Sequence, residues 1–462
     1  MNGAVAFASE LKTDASLPVG ATQILLPKRV LIDVRSTHSD GAHDMDTLVE
    51  MAQERGIKVL AFTEHDRTGI RFGLAPVPAF LGYSLERPSL YTTGVQSFFS
   101  DLARMRSKYP HMGLIAGTES TPGYYWTGIP FRDLTLHEAE RHIITLGIET
   151  PTQVEALPSY DLRHAPGHPH LSTMFWGTMI VIALLLMLRR REWGAALLGL
   201  SAFALLLLFW PADKMDADAE FIDIARQQGL FTIWAHPGTN SGVRAGPMGI
   251  QLDTPPYSKC VFIEPTADAF AAIYGDTDVN TVAGGPWDRY LMEYMQGRHA
   301  HPIWGVAAGD FHTQGEANEY LGNFPMDVWA SSSAPQDVLS AMRGGHVVAW
   351  GLPKDRNLRM QQLSLTDERG AHLIAGDENS VYGGVTVHIR LVETPAAIET
   401  ADTIFPAELI VDGKVAIHPM LAVGELSQVN LQLAPGAHVV RLRIAAGAIR
   451  MVANPFLLRV FG

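Results

Sequence analysis

Two short apolar runs, Val30 to Val34 and Lys58 to Phe62, each lead into a polar cluster that carries both imidazole and carboxylate groups. His38 and Asp40 follow the first run, and His65 and Asp66 follow the second. Carboxylate oxygens and imidazole nitrogens converging on one point suit a divalent cation, and Zn, Mn and Fe all accept that mixture. Groups this far apart in sequence meet only if the two runs are parallel strands whose carboxyl ends open on one edge of a sheet. The residues between them support that arrangement. Asp44 or Asp46 can cap a helix that keeps Leu48, Met51 and Ala52 on one face, and Gly56 stands where a left-handed stop is wanted. The stretch is a βαβ unit built around a candidate metal crevice.

Around this unit the sequence resembles the PHP (polymerase and histidinol phosphatase) metallohydrolases. Their hallmark is a strand ending in HxH and followed by SDG, then a helix and a strand ending in TDHD. The chain has Ser39-Asp40-Gly41 and Thr63-Glu64-His65-Asp66 at these places. The later motifs have counterparts in order: Gly117-Thr118-Glu119, Arg141-His142-Ile143 before Leu146-Gly147, Ala235-His236-Pro237, and Gly309-Asp310-Phe311-His312. One departure stands out. Arg35-Ser36-Thr37 occupies the place of HxH, and the loop to SDG is shorter.

The resemblance implies a distorted seven-stranded (β/α) barrel that hydrolyses a phosphate ester at a dinuclear or trinuclear metal centre. In that pattern Glu119 bridges two ions, with His142 and His236 completing one of them. Asp40, His65 and His312 hold another. Asp310 would join Glu119 and the two HxH histidines around a third, and that set is the one Arg35 and Thr37 disrupt. His38 either replaces a lost histidine or caps the loop. About two ions per chain are therefore expected, of Zn, Mn or Fe. Arg35 and Asp66 are taken as catalytic candidates. A guanidinium binds no cation and is always charged, so Arg35 can stand in the space of the missing ion and clamp a phosphate through two hydrogen bonds. The competing reading is a catalytically weak, PHP-like protein that binds metal or ligand as a sensor, and a third makes the barrel a scaffold.

A chain of 462 residues with 47% hydrophobic content can bury a large core and exceeds one ordinary domain. Its net charge of -13, without a long basic run, argues against nucleic acid as a partner. The expected partner is a small phosphorylated substrate. A single cysteine, Cys260, excludes an internal disulfide and a thiolate zinc cluster.

Between the motifs lie two uncharged runs, Leu171 to Leu188 and Trp193 to Trp210, separated by Arg189 to Glu192. Their length and the tryptophans near their ends predict a transmembrane hairpin, which adds the lipid bilayer as a partner. The arginines of its loop place the main domain on the extracytoplasmic side, with the cytoplasmic face as the alternative. Ala6-Phe7-Ala8 resembles the end of a signal region.

The expected organisation is then an N-terminal segment 1–27, the first part of the barrel 28–170, the transmembrane hairpin 171–210, the second part of the barrel 211–354, and an all-β, sandwich-like domain 355–462. The last is read from short alternating runs separated by Gly, Pro and Asp turns. It carries no convergent His or acid set, so its expected use is packing or a protein partner. Within the barrel, strands are predicted at Met112 to Ala116, Leu230 to Ala235, Cys260 to Glu264 and Ile303 to Ala308. Helices are predicted at Phe98 to Ser107, Ala217 to Gln228, Trp287 to Gln296 and Pro335 to Arg343.

Overall fold

The computed structural model describes residues 25–74, 82–129, 131–158, 169–209, 217–239, 241–263, 266–274, 279–316, 319–394 and 403–461. Seven strands stand side by side in the order Trp304–Ala307, Ala269–Ile273, Phe231–Trp234, Ile143–Leu146, Gly113–Ser120, Val59–His65 and Leu26–Val34. Just past Trp304–Ala307, Phe311 exchanges backbone hydrogen bonds with Asp33 and Arg35, so the two ends of the row meet. Six of the strands run the same way, while Ile143–Leu146 lies antiparallel to both neighbours. Val59–His65 and Gly113–Ser120 are buried along their whole length, as strands covered on both faces must be. Helices Met45–Glu54, Val95–Lys108, Ala217–Gln227 and Pro286–Met295 lie among these strands in the chain, each with a buried apolar face. The Asp44 side chain caps the first, accepting from Thr47 N at 2.8 Å.

The expected transmembrane hairpin is overturned. Two helices of 19 residues do pack together, Pro169–Met187 and Arg191–Phe209. Among the described residues, however, no helix is long and apolar enough to cross a membrane. The uncharged run counted in the sequence overruns the first helix, since Leu188 falls beyond it, and the second helix opens on the charged Arg191 and Glu192. The fold class of a barrel interrupted by a membrane hairpin and the membrane localisation, extracytoplasmic or cytoplasmic, fall with it. The signal-like stretch at Ala6 to Ala8 lies outside the described residues.

Beyond the barrel the sheet does not stop. Met326–Ala330 pairs with the start of Leu26–Val34, and the sheet continues through Val347–Gly351, Ile449–Ala453 and Gly436–Ala446. A second sheet contains Leu358–Asp367, His372–Ile374, Val385–Glu393 and Leu426–Leu431 and shares a core with this extension. The two parts are joined by buried ion pairs. Arg29 binds Asp327 at 3.1 Å, and Asp327 also accepts from Trp350 Nε1 and Met360 N. Arg441 grips Asp288 through two nitrogens at 2.6 and 2.8 Å. One predicted strand is displaced: Cys260–Phe262 is a single 3-10 turn, and the strand of that unit is Ala269–Ile273. Apolarity marks both segments, but Phe231–Trp234 pairs only with the second.

Candidate metal centre

His65 and Glu119 are register partners at the carboxyl ends of Val59–His65 and Gly113–Ser120. Glu119 also pairs with Ile144 in the antiparallel strand, whose preceding residue, His142, accepts a backbone hydrogen bond from Ala235. That contact brings His236 alongside. The closure at Phe311 delivers Asp310 and His312. Asp40 arrives on a tight loop whose Gly41 lies so close to the Arg35 carbonyl that a Cβ there would collide with it. The buried Glu64 carboxylate holds this loop by accepting from Ser36 N and from the Ser36 and Ser39 hydroxyls. Backbone strain concentrates at the same place. Of the seven non-glycine residues with positive φ among the described residues, Asp33, His236 and Asp310 belong to the site.

Three groups of ligand atoms result, each with its atoms within 4.8 Å of one another: Asp40 with His65 and His312, Glu119 with His142 and His236, and Asp33 with Glu119 and Asp310. In the second, Glu119 Oε1 is 3.1 Å from His142 Nδ1 and 3.3 Å from His236 Nε2. In the first, Asp40 Oδ2 is 3.6 Å from His65 Nε2 and 3.5 Å from His312 Nε2. The other oxygen of Glu119 is 3.6 Å from His65 Nδ1, so one carboxylate touches a histidine of each group, while His65 meets Asp40 through its other nitrogen. Donors about 2.0–2.2 Å from a shared ion stand roughly 3–3.6 Å from each other, and these spacings match. Glu119 Oε1 and His142 Nδ1 are buried without a hydrogen-bond partner, an expensive state for lone pairs that a cation relieves. The donor set therefore fits divalent ions in the first two groups.

The third group already holds a cation. Arg35 is fully buried, and its guanidinium binds Asp33 Oδ1 at 2.7 Å, Asp310 Oδ1 at 3.1 Å and Glu119 Oε2. Burial opposes its charge, but Asp33 and Asp310 outweigh that and raise its pKa. The same charge acts outward. Burial works to raise the Asp310 pKa, yet Arg35 and the nearby histidines hold the carboxyl well below its usual range. At Asp40 burial is likewise outweighed, by the His312 hydrogen bond and the charge of His65. Burial first, then neighbouring His236, pushes His142 down to about 3, and burial with Arg35 depresses His65. For His312 burial is overcome by the Asp40 hydrogen bond, which raises it.

Of the residues singled out in the sequence, Asp40, His65, Glu119, His142, His236, Asp310 and His312 are brought together. Arg35 stands among them as the partner of Glu119 and Asp310, while His38 and Asp66 belong to none of the three groups. His38 points its ring at Asp101 of helix Val95–Lys108, with Nε2 3.0 Å from Oδ2, against the edge of Phe98. Asp66 is buried and its carboxylate accepts from Arg67 N at 2.7 Å. Arg35 is enclosed by carboxylates and does not line the cavity, so it is not positioned as a phosphate clamp. Sequence reasoning passed over Asp33, which accepts from Arg35 and from Asp310 N at 2.8 Å. It also missed Tyr274, which donates to Asp310 Oδ2 at 2.9 Å, and Tyr257, which donates to the Ala235 carbonyl. Asp33 was detectable as an acid ending an apolar strand; the tyrosines carried no signal.

The first two groups open into one cavity of about 380 Å³. Its far wall is a cap assembled from separate insertions. The hairpin Gly69–Gly73 and Gly82–Glu86 follows the second barrel strand. Tyr125–Thr127 and Thr135–His137 follow Gly113–Ser120 and pair in one small sheet with Val243–Ala245 and Gln251–Asp253, which follow Phe231–Trp234. Tyr124, Trp126, Leu134 and Leu136 give the cap its own core, with Ile70 and Leu252 packed on it.

No family model matches the chain, and no curated protein matches it. Solved structures do align with it. A two-domain protein containing a predicted PHP-like metal-dependent phosphoesterase from Bacteroides vulgatus is 13% identical, with 97% of this chain and 100% of that one covered and a TM-score of 0.40. A protein of Bifidobacterium adolescentis, provisionally named a metal-dependent phosphoesterase, is 15% identical over 68% of this chain and 95% of its own, at a TM-score of 0.28. An amidohydrolase from Chromobacterium violaceum is 14% identical over 62% and 88%, at 0.25. At these identities and scores the likenesses do not bear on the chemistry of the site.

Proposed function

We propose that the protein is a metal-dependent hydrolase of phosphate esters that works with two divalent ions. The observation that carries this reading is the Glu119 carboxylate. One of its oxygens faces His142 and His236, the other faces His65, and the first is buried with no hydrogen-bond partner. Glu119, His142 and His236 would hold one ion, and Asp40, His65 and His312 the second. Ions bound there supply Lewis-acid charge for the phosphoryl oxygens and lower the pKa of an attacking water. The chain's own residues do the rest. Arg35 fixes Glu119 and Asp310 in place and balances part of their charge; Tyr274 steadies Asp310 from the cavity side. The cap walls the cavity on the side away from the ligand groups and limits the entry of bulk water.

The test is turnover of an aryl phosphate by the full chain after chelation and reconstitution with Zn, Mn or Fe, paired with elemental analysis. Hydrolysis that disappears on chelation and returns at about two ions per chain is expected. About two bound ions without turnover would reduce the protein to a metal-binding or sensor protein. No bound ion at all would end the metalloenzyme reading.

A further inference from the structure

The position of Arg35 leaves a question of chemistry: if its guanidinium is spent on carboxylates, the phosphoryl group must be received by another cation. Two other arginines line the cavity. Arg244 is paired with Glu140, which lines the same cavity, so its charge is already balanced. Arg87 is different. It ends the cap hairpin, is exposed, and has no carboxylate partner among the described residues. Arg87 N donates to the Thr68 carbonyl at 2.8 Å, which sets the two residues side by side at the base of the hairpin. Thr68 lines the cavity too, and its Oγ1 is buried without a hydrogen-bond partner. Thr68 is three residues beyond His65, and the pair lines the same cavity as Asp40, His65 and His312.

An arginine with unbalanced charge next to a threonine with an unsatisfied hydroxyl, both residues lining one cavity, is complementary to an anion. The guanidinium matches two oxygens of a phosphoryl group at once, and the hydroxyl can donate to one of them. We propose that Arg87 and Thr68 form the phosphoryl-binding subsite of this cavity, taking the role that the sequence suggests for Arg35. This rests on the proposed hydrolase reading for the identity of the anion as a phosphate ester. Arg87 here binds substrate; it holds no ion and leaves Glu119 and the histidines untouched.

The experiment uses the metal-reconstituted full chain and phenylphosphonate, a phosphoryl probe that is not hydrolysed, with binding followed by calorimetry. Arg87→Ala is expected to weaken binding tenfold or more, and Arg87→Lys to fall between the variant and the wild type, because a point charge replaces a fork. Thr68→Val should weaken binding severalfold. Metal content and melting temperature should stay at wild-type values in all three variants. Binding by Arg87→Ala within twofold of wild type would overturn the subsite, and so would a loss of affinity accompanied by loss of metal. The two readings fail separately. Arg87-dependent binding of phenylphosphonate in a protein that turns over no aryl phosphate would leave the subsite standing and remove the hydrolase. Turnover with a KM that Arg87→Ala does not change would do the reverse.

Discussion

Arg441 and Arg35 are both fully buried, yet they keep opposite electrostatic company. Arg441 meets one carboxylate, Asp288, together with the Thr281 and Val282 carbonyls and the face of Trp287. One cation against one anion closes the account with no charge left over. Arg35 meets three carboxylates, Asp33, Glu119 and Asp310. The leftovers differ as well. Each arginine leaves a donor without a partner, Nη1 of Arg441 and Nε of Arg35, but at the centre Glu119 Oε1 and His142 Nδ1, facing each other, are without one as well. A buried pair in balance holds two layers together. A buried excess of carboxylate, with lone pairs pointed inward, calls for cations that the chain itself does not supply.

The sharpest way to break that comparison is Glu119→Gln. It keeps the shape of the side chain and removes the charge shared by both histidine groups. We expect loss of most bound metal and a fall in turnover of roughly a thousandfold or more, because residues acting as one unit do not share the loss additively. Elemental analysis alongside rates decides it; a variant that keeps both ions would show that Glu119 does not join the two groups. The double variant with His312→Ala should be hardly worse than Glu119→Gln alone.

Next in size are the two arginines themselves. Removing either leaves buried carboxylate uncompensated, so Arg35→Met and Arg441→Met should each cost about 3–5 kcal/mol in the metal-free protein, measured by urea unfolding. The two variants should part company when a divalent ion is added. Asp33, Glu119 and Asp310 have atoms within 4.8 Å of one another, so Arg35→Met can recover stability by taking up an additional ion. Arg441→Met, with Asp288 alone, should recover nothing. Equal recovery, or none in either, would erase the distinction between joint and centre.

A pH titration of the chelated protein probes the same difference more gently. His142, at about 3 when folded, refuses a proton that the unfolded chain accepts near 6.5, and His65 is depressed in the same direction. Their contribution is intact above pH ~6.5 and is lost as the pH falls from there towards about 3. His312 is raised, so its contribution is present below pH ~6.5 and is lost as the pH rises through its folded value. Below pH ~6.5 His312 no longer changes the balance, and the groups that work against the fall are Glu64 and Glu319, both raised by burial, the latter to about 7. The share of His142 is therefore read against His142→Gln: from pH 6.5 to 5.5 the urea midpoint of the wild type should fall relative to that of the variant, by up to about 1.4 kcal/mol per pH unit. Reconstitution with metal should steepen the pH dependence, because an ion on His312 keeps that ring unprotonated.

What the sequence revealed and what it hid follow one physical line. Asp40, His65, Glu119, His236, Asp310 and His312 stand at or just past apolar strands, and a closed row of strands has one edge where such ends can meet. The resemblance to the PHP motifs located them, and the strand ends account for their meeting. The cap was not legible, because it is made from insertions that share no pattern and meet only through the Tyr124 to Leu136 core. The function of Arg35 was half legible. Its charge announced a missing ion, but only the fold shows that Asp33, two residues away at φ 68, turns its own carboxylate onto that guanidinium. Apolar length misled at the helical hairpin, since a run of uncharged residues says nothing about where the helix ends.

The smallest expected effect concerns His38, the residue the sequence left between ligand and loop cap. Its loop has little freedom. Ser36, two residues before it, is fixed to Glu64, the His38 amide donates to Ser36 Oγ at 3.2 Å, and the His38 carbonyl accepts from Thr93 Oγ1 at 2.6 Å. With its backbone pinned on both sides, the ring leans outward onto Phe98 and meets Asp101, a residue that Arg104 already holds at 2.9 Å. His38→Ala should therefore leave metal content and turnover unchanged and cost about 1 kcal/mol for the lost hydrogen bond and ring contact. Asp101→Ala should cost a similar amount, and the pair together should cost less than the sum, because both remove the same contact. A drop of one ion per chain in His38→Ala would mean that the ring swings inward when metal binds. The centre would then have a histidine in reserve beside the place that Arg35 fills, a neutral ligand that leaves the excess of carboxylate around Arg35 unchanged.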